Sequence, residues 1–436
     1  MTIAPPAPPA PFGDPERSAG VTPDGTVDWS AGPGDWPHIA RELADDLATD
    51  AVEREQAGKL PLDEIARLRE SGLLTLLVPA ERGGAGVDWR TAYTVVRTVT
   101  AADGAVGHLL GSHYFLSHCA RFFAAPDRVA RIERASAAGQ WFWGGGIASQ
   151  EPPLLLAPAA GGYLLDGQQR YGSGVGVADR LLVRAAVPGT GEPLAVLVDP
   201  AHPGLVSGGG GDTFGRRLAA AGGVAFDSVP VAHDDVLGSL SADDGALSPF
   251  AGLAAPTARL VSAQFCLGVA EGLLGEVREH GRAVTSQGPP FSPQPWQGGG
   301  LSQDPYRQDP YRPDLYVVTA YGELAVTARA ASALADQAVD ALTRGLARGE
   351  NLDDEECAEI AVLASAAEAA AARAAQDITT RALDAVGTSA ALTRHGLDRF
   401  WRDTRTHTLR EPVAHRLREV GDYFLNGAHP PFSLPA

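Results

Sequence analysis

Among 436 residues there is a single lysine, Lys59, a single methionine, and only three cysteines. A Walker-type phosphate loop needs a lysine after its glycines, so that class is excluded. Schiff-base chemistry would have to rest on Lys59, in a helical stretch that reads as exposed. Cys119, Cys266 and Cys357 are far apart and odd in number. That spacing suits small buried apolar residues in a reducing cytoplasm, not a disulfide framework or a metal site. Positive charge is also scarce: 35 Lys and Arg stand against 53 Asp and Glu, a formal net charge of −18. Nucleic-acid binding needs clustered positive charge, and so does docking on anionic membranes, so neither partner is expected. No run of about 18 uncharged apolar residues is present, which predicts no membrane span. The first twenty residues lack the basic start and apolar stretch of a secretory signal. No glycine-rich nicotinamide fingerprint follows a strand.

What is present is an ordinary globular composition, 44% hydrophobic and 20% charged, long enough to bury substantial cores. Residues 1–34 are rich in Pro, Gly and Asp and poor in large apolar residues, and predict a disordered arm. From about Trp36 to Ala135 the period is helical. HIARELADDLATDAVEREQAG spaces its apolar residues three and four apart, and LPLDEIARLRESGLLTLLVP meets stop signals at Gly72 and Pro79. One further helix is predicted through TAYTVVRTVTAADGAVGHLLGSHYFLSHCARFF. Near Gln140 the texture changes to short apolar or alternating runs set off by Gly, Pro and Asp, which predict strands to about Gly238. Helical periods return over 254–283, 315–347 and 354–386, with a shorter helix at 410–424, a pattern that suggests a bundle. The Pro/Gly-rich stretch with its tandem QDPYR predicts a lid loop over 284–313. The domains expected are an arm (1–34), a helical domain (35–138), a middle β domain (139–245) and a helical bundle (246–436).

That order of elements carries five motifs: SGLLTLLVPAERGGAGVDW (71–89), AADGAVGHLLGSH (101–113), RYGSGVGVADRLLV (170–183), LDRFWRDTRTHTLREPV (397–413) and VGDYFLNG (420–427). Together they resemble the acyl-CoA dehydrogenase superfamily, and within it the dibenzothiophene monooxygenase type, a two-component flavin enzyme. The likeness runs from about residue 38 to 430. It implies an α+β fold with an N-terminal helical domain, a β-barrel-like middle domain and a C-terminal four-helix bundle. It also implies a homotetramer, reduced FMN delivered by a separate flavin reductase, and a small-molecule substrate. Oxidation at sulfur, nitrogen or an electron-rich carbon would proceed through a flavin C4a-hydroperoxide kept from water.

Carried over by motif, His108 in GHLLG and His407 in RTHTL match two active-site histidines, and Ser173 in YGSG matches a serine near the flavin's reactive edge. Histidine suits proton work because its unperturbed pKa of about 6.5 lies near working pH. A histidine among Leu and Gly is also commonly an interior hydrogen-bonded residue, and a serine between glycines is an ordinary turn residue. His113 and His118 read as structural. Three positions depart from the relatives. Arg410 stands where they have a second histidine, and as a permanent cation it would hold an anionic substrate or a peroxide. Ser112 replaces a tyrosine, which implies a reshaped pocket. Ser389 replaces a phosphate-gripping arginine. The segment WFWGGGIASQ (141–150) matches a loop along the flavin ring, which makes Trp143, Ala148 and Ser149 candidate contacts, with Arg282 for the phosphate; no metal site is expected.

Two rival readings remain open. Glu411, in REPV, falls where acyl-CoA dehydrogenases and oxidases, which hold FAD, carry the base that removes an α-proton. A degenerate, non-catalytic family member is the other.

Overall fold

The computed structural model describes residues 34–147, 151–210, 213–241, 247–287, 315–410 and 412–434. Most of the expected arm and residues 288–313 of the expected lid lie outside the described residues.

The first helical stretch divides in two. Helix α1 (Trp36–Ala48) is capped by the Asp35 carboxylate, which accepts the His38 N–H. Thr49 turns its hydroxyl back onto the Asp46 carbonyl at 2.7 Å, and the chain restarts as α2 (Ala51–Ala57). Helix α3 (Leu62–Glu70) stops where predicted, at Gly72 in the left-handed region (φ 75°). The next stretch, expected as one helix, is also two, α4 (Trp89–Ala102) and α5 (Gly104–Phe123). Asp103 makes the break: it is extended (φ −140°), and its carboxylate accepts the N–H groups of Ala105 and Val106. An N-cap in mid-pattern outweighs continuous apolar periodicity because it satisfies donors that a new helix start leaves open. Helix α6 (Pro126–Gly139) completes this part.

Eight strands follow: β1 (Trp143–Gly146), β2 (Leu154–Ala159), β3 (Gly162–Tyr171), β4 (Arg180–Ala186), β5 (Pro193–Val198), β6 (Leu205–Gly210), β7 (Gly222–Ala232) and β8 (Val236–Ser239). They form one mixed sheet in the order β6-β7-β3-β2-β4-β5-β8, with β1 parallel to β4. The sheet is open, with β6 and β8 as its ends, so barrel-like closure is not reached among the described strands. Its buried side carries a core of its own, which includes Leu156, Leu165, Leu181, Val183, Val196 and Val224.

The remainder is helical: α7 (Pro249–Gly252), α8 (Ala254–Gln287), α9 (Leu315–Arg348), α10 (Asp354–Val386), α11 (Asp398–Arg410) and α12 (Val413–Asn426). Helix α8 packs against α4, α5, α9, α10 and α11. By length and composition it is apolar enough to cross a membrane, with a mean hydropathy of 1.3 over an 18-residue window. No uncharged run of that length shows in the sequence because Arg259 lies inside the helix. Since 72% of the window is buried in the fold, α8 is a core helix. Arg259 is buried with a purpose. It donates to Ser365 Oγ at 2.5 Å and pairs with Glu419 at 3.2 Å, while Arg416 donates to Glu419 at 2.6 Å, and so α8, α10 and α12 are joined.

Helix α11 was not foreseen; the sequence pattern places a last short helix at 410–424. The buried residues of α11 are Arg399, Phe400, Asp403, Thr404, His407 and Thr408. A helix that buries a polar face leaves no apolar stripe to read.

Candidate active site

Three helical faces, one strand and two loops meet at one cleft. Along α5, His108 and Ser112 are four residues apart and share a face. Along α8, Ala258, Val261, Ser262 and Phe265 do the same, and α11 adds His407 and Arg410. Strand β1 contributes Gly145 and Gly146, the end of β3 contributes Gly172 and Ser173, and the loop before β7 contributes Arg216. The cleft has about 810 Å3 of empty volume, its mouth included. Phe115, Leu116 and Ile147 complete an apolar lining. Five residues singled out from the sequence thus come together: His108, Ser112, Ser173, His407 and Arg410.

Arg216 Nη1 lies 2.7 Å from His108 Nε2. A guanidinium can only donate, so Nε2 presents its lone pair, and the Gly172 carbonyl hydrogen-bonds to the same ring. Burial, then Arg216, His407 and Arg410, hold the His108 pKa well below the usual histidine value. His407 Nε2 is 2.7 Å from Ser262 Oγ, and its ring packs on Phe265 with centroids 4.5 Å apart. Burial, then Arg216 and Arg410, depress its pKa in the same direction. Both rings are therefore neutral near pH 7. The expected advantage of a pKa close to working pH is absent; the rings offer one N–H and one lone pair each. Arg410 is exposed and lies at the cleft against Gly172, where a Cβ would run into its guanidinium.

Arg216 sits in the left-handed backbone region (φ 52°), uncommon for a side chain of its size. The Asp403 carboxylate accepts its backbone N–H, and Arg402 donates to the Phe214 carbonyl at 2.9 Å. Gly215 lets the loop press this close, since a Cβ there would collide with the Arg402 carbonyl. Asp403 is buried beside Gly104, and burial, with Asp103 nearby, pushes its pKa up to about 7.

Other candidates fall elsewhere. Trp143 is fully buried away from the cleft lining, where its indole donates to Ser136 Oγ at 3.0 Å. Of β1 it is Gly145 and Gly146 that line the cleft, while the Trp143 side chain packs into the core. Ser389 is bonded to His280 Nε2 at 3.0 Å and does not line the cleft. Arg282 is on α8, but its side chain lies outside the described residues, as do Ala148, Ser149 and Glu411. His113 is structural, as expected: its Nε2 donates to the Leu74 carbonyl at 2.8 Å while Nδ1 accepts the Trp143 N–H at 3.0 Å. Sequence reasoning missed Arg216, Ser262, Phe265 and Asp403. The small and aromatic residues at 258, 261, 262 and 265 repeat at helical spacing and are a usable signal; nothing local marks Arg216. A second cleft between α4, α8 and α9 holds charges that satisfy one another, Arg97 with Glu271 among them. Among the described residues no His, Cys, Asp and Glu group suits a metal ion.

Residues 38–123 match the acyl-CoA dehydrogenase N-terminal domain and 310–411 its C-terminal domain. A dibenzothiophene monooxygenase of Mycolicibacterium goodii is 33% identical over 426 residues, covering 94% of this chain and 98% of that protein. The crystal structure of FMN-bound TdsC from Paenibacillus sp. A11-2 superposes with a TM-score of 0.82 at 32% identity, covering 92% of this chain and all of that one. Methanesulfinate monooxygenase MsuC from Pseudomonas fluorescens gives 0.81 at 28% identity, covering 92% and 98%. With its histidine-lined cleft at the meeting of sheet and bundle, the chain belongs to the dibenzothiophene monooxygenase family of flavin enzymes, on the acyl-CoA dehydrogenase fold.

Proposed function

We propose that this chain is the oxygenase of a two-component, FMN-dependent monooxygenase, which places one atom of O2 on a small organic substrate at sulfur, nitrogen or an electron-rich carbon. The carrying observation is one cleft that joins a wall free of side chains to a group of neutral polar donors. Gly145 and Gly146 form that wall, and apolar Ile147, Val261 and Phe265 face the same space. A flat ring system can lie against bare backbone there, so the residues present fit FMN. Reduced FMN, when bound, supplies the electrons that activate O2, with the second oxygen atom leaving as water.

The chain's own groups do the rest. His407 is fixed by Ser262, and both ring nitrogens of His108 are engaged, by Arg216 and by the Gly172 carbonyl, so the two rings line the cleft in set orientations. Preorganised dipoles of this kind stabilise developing charge without reorganising. Ser173, after β3, and Ser112, on α5, add hydroxyls to the lining, and its apolar part keeps water out. The sequence carries no nicotinamide fingerprint, which supports supply of reduced flavin by a separate reductase. A homotetramer in a reducing cytoplasm belongs to the same reading; Cys119, Cys266 and Cys357 are unpaired. The dehydrogenase alternative hangs on Glu411 and gains nothing from the described residues.

The test is to combine purified protein, a separate flavin reductase, NADH, FMN and isotopically labelled O2 with sulfides, sulfinates, amines and phenols. Product carrying one labelled oxygen atom is the expected result. Peroxide alone across the whole panel, together with bleaching of bound FAD by acyl-thioesters, would replace this reading with the dehydrogenase one.

A further inference from the structure

Arg216 is 6% exposed, yet its guanidinium has no carboxylate partner among the described residues. Its Nε has no hydrogen bond at all, and its Nη1 is spent on a neutral ring, His108. Asp403 accepts the backbone N–H of Arg216 and acts on the charged end of the side chain only through space, without a salt bridge. A buried guanidinium without a paired carboxylate is costly, because its lost hydration is not returned by a counter-charge. Here that cost is built in. The loop that carries Arg216 is strained at φ 52° and clamped to α11 through Asp403, Arg402 and the side-chain-free Gly215. Arg410 brings a second guanidinium to the same cleft, and no Asp or Glu lines it among the described residues.

We propose that the substrate is an organic anion whose oxyanion head binds the buried guanidinium of Arg216, with its hydrocarbon body against the apolar lining. A planar fork of donors matches the two oxygens of a carboxylate or sulfinate. Phe115, Leu116, Val261 and Phe265 supply surface for an aromatic or branched body. Arg410, nearer solvent, would meet the same anion on entry. Neutral substrates would leave Arg216 uncompensated, so the site discriminates by charge before it discriminates by shape. This inference rests on the monooxygenase reading for the fate of the substrate, but its binding test does not depend on turnover.

Calorimetric titration of the full-length protein, with and without FMN, would use benzoate and benzenesulfinate against their neutral counterparts benzamide and methyl phenyl sulfone. The expected result is at least about tenfold tighter binding of the anions, a difference of roughly 1.4 kcal/mol. Arg216→Gln should remove that preference while FMN affinity stays unchanged, and Arg216→Lys should restore part of it. Equal binding of neutral and anionic probes by the unaltered protein would overturn the proposal. So would a preference that survives in Arg216→Gln, or a parallel loss of FMN affinity, which would assign the guanidinium to the cofactor. Should Arg216→Gln fail to fold, the same question is put to the unaltered protein by nuclear magnetic resonance. Benzoate but not benzamide should then shift the His108 ring signals, and an unmoved His108 would sink the proposal. If no substrate is ever oxygenated but anion selectivity holds, the monooxygenase reading fails alone.

Discussion

Burial first, and then the two arginines that make the cleft cationic, hold His108 and His407 neutral. Their work is to orient rather than to titrate. His407→Ala removes a ring fixed by Ser262 without disturbing a backbone contact, so the fold should survive. Product formed per O2 consumed should drop on the order of tenfold to a hundredfold, with hydrogen peroxide released instead; unchanged coupling would take His407 out of the mechanism. Asp403 titrates in the opposite sense to an ordinary paired carboxylate. Its folded pKa of about 7 exceeds its unfolded value of about 3.9. The native state thus keeps a proton that the unfolded chain has lost, and stability falls as pH rises from about 4 to about 7. The depressed histidines push the other way over part of that window, their contribution being lost as pH falls below about 6.5. The effect is therefore read as a difference. Asp403→Asn should gain stability relative to the unaltered protein as pH goes from 5 to 8, by about 1.4 kcal/mol for each unit of displacement relieved. Parallel denaturation curves at both pH values would show that Asp403 is not displaced.

At the scale of elements, the site depends on two helices that hide polar faces. Helix α11 buries Asp403, Thr404 and His407, and α8 buries Arg259, which draws Glu419 and through it α12 onto the bundle. Replacing Glu419 with Ala removes a carboxylate paired with Arg259, which is 1% exposed. A loss of about 3 kcal/mol in urea denaturation is expected, as for other broken buried pairs. A loss below about 0.5 kcal/mol would mean that Ser365 and the rest of the network suffice. The break between α4 and α5 belongs here too. Asp103 caps α5, and Gly104 lets Asp403 approach the helix start, so a local capping choice places His108 one turn further on, opposite α11.

For the whole molecule, the faces left uncovered are informative. Phe424 and Leu425, at the end of α12, are 83% and 77% exposed, and Val326 on α9 is 67% exposed. Adjacent large apolar residues at that exposure suit a contact with another chain, as the proposed homotetramer requires. A homotetramer should appear in light scattering as a mass four times that of one chain. Phe424→Asp combined with Leu425→Asp should lower that mass with no loss of helical content. A monomeric mass for the unaltered protein would remove the tetramer from the reading.

The order of elements could be read from residues alone. Apolar residues three and four apart marked α8, α9 and α10 to within a few positions, and Gly, Pro and Asp between short runs marked the sheet. The motifs around His108, Ser173 and His407 carried the family. These signals are local: each reports which face of one element is buried, or a turn that only certain residues accept. Helix α11, the break at Asp103, the inward turn of Trp143 and the open edge of the sheet were settled by packing. So was the cleft. Arg216 meets His108 across 108 residues of sequence, Ser262 meets His407 across 145, and Asp403 meets Arg216 across 187. No periodicity spans such separations; they close only when sheet and bundle dock, and docking is what gives a buried guanidinium a cleft to face.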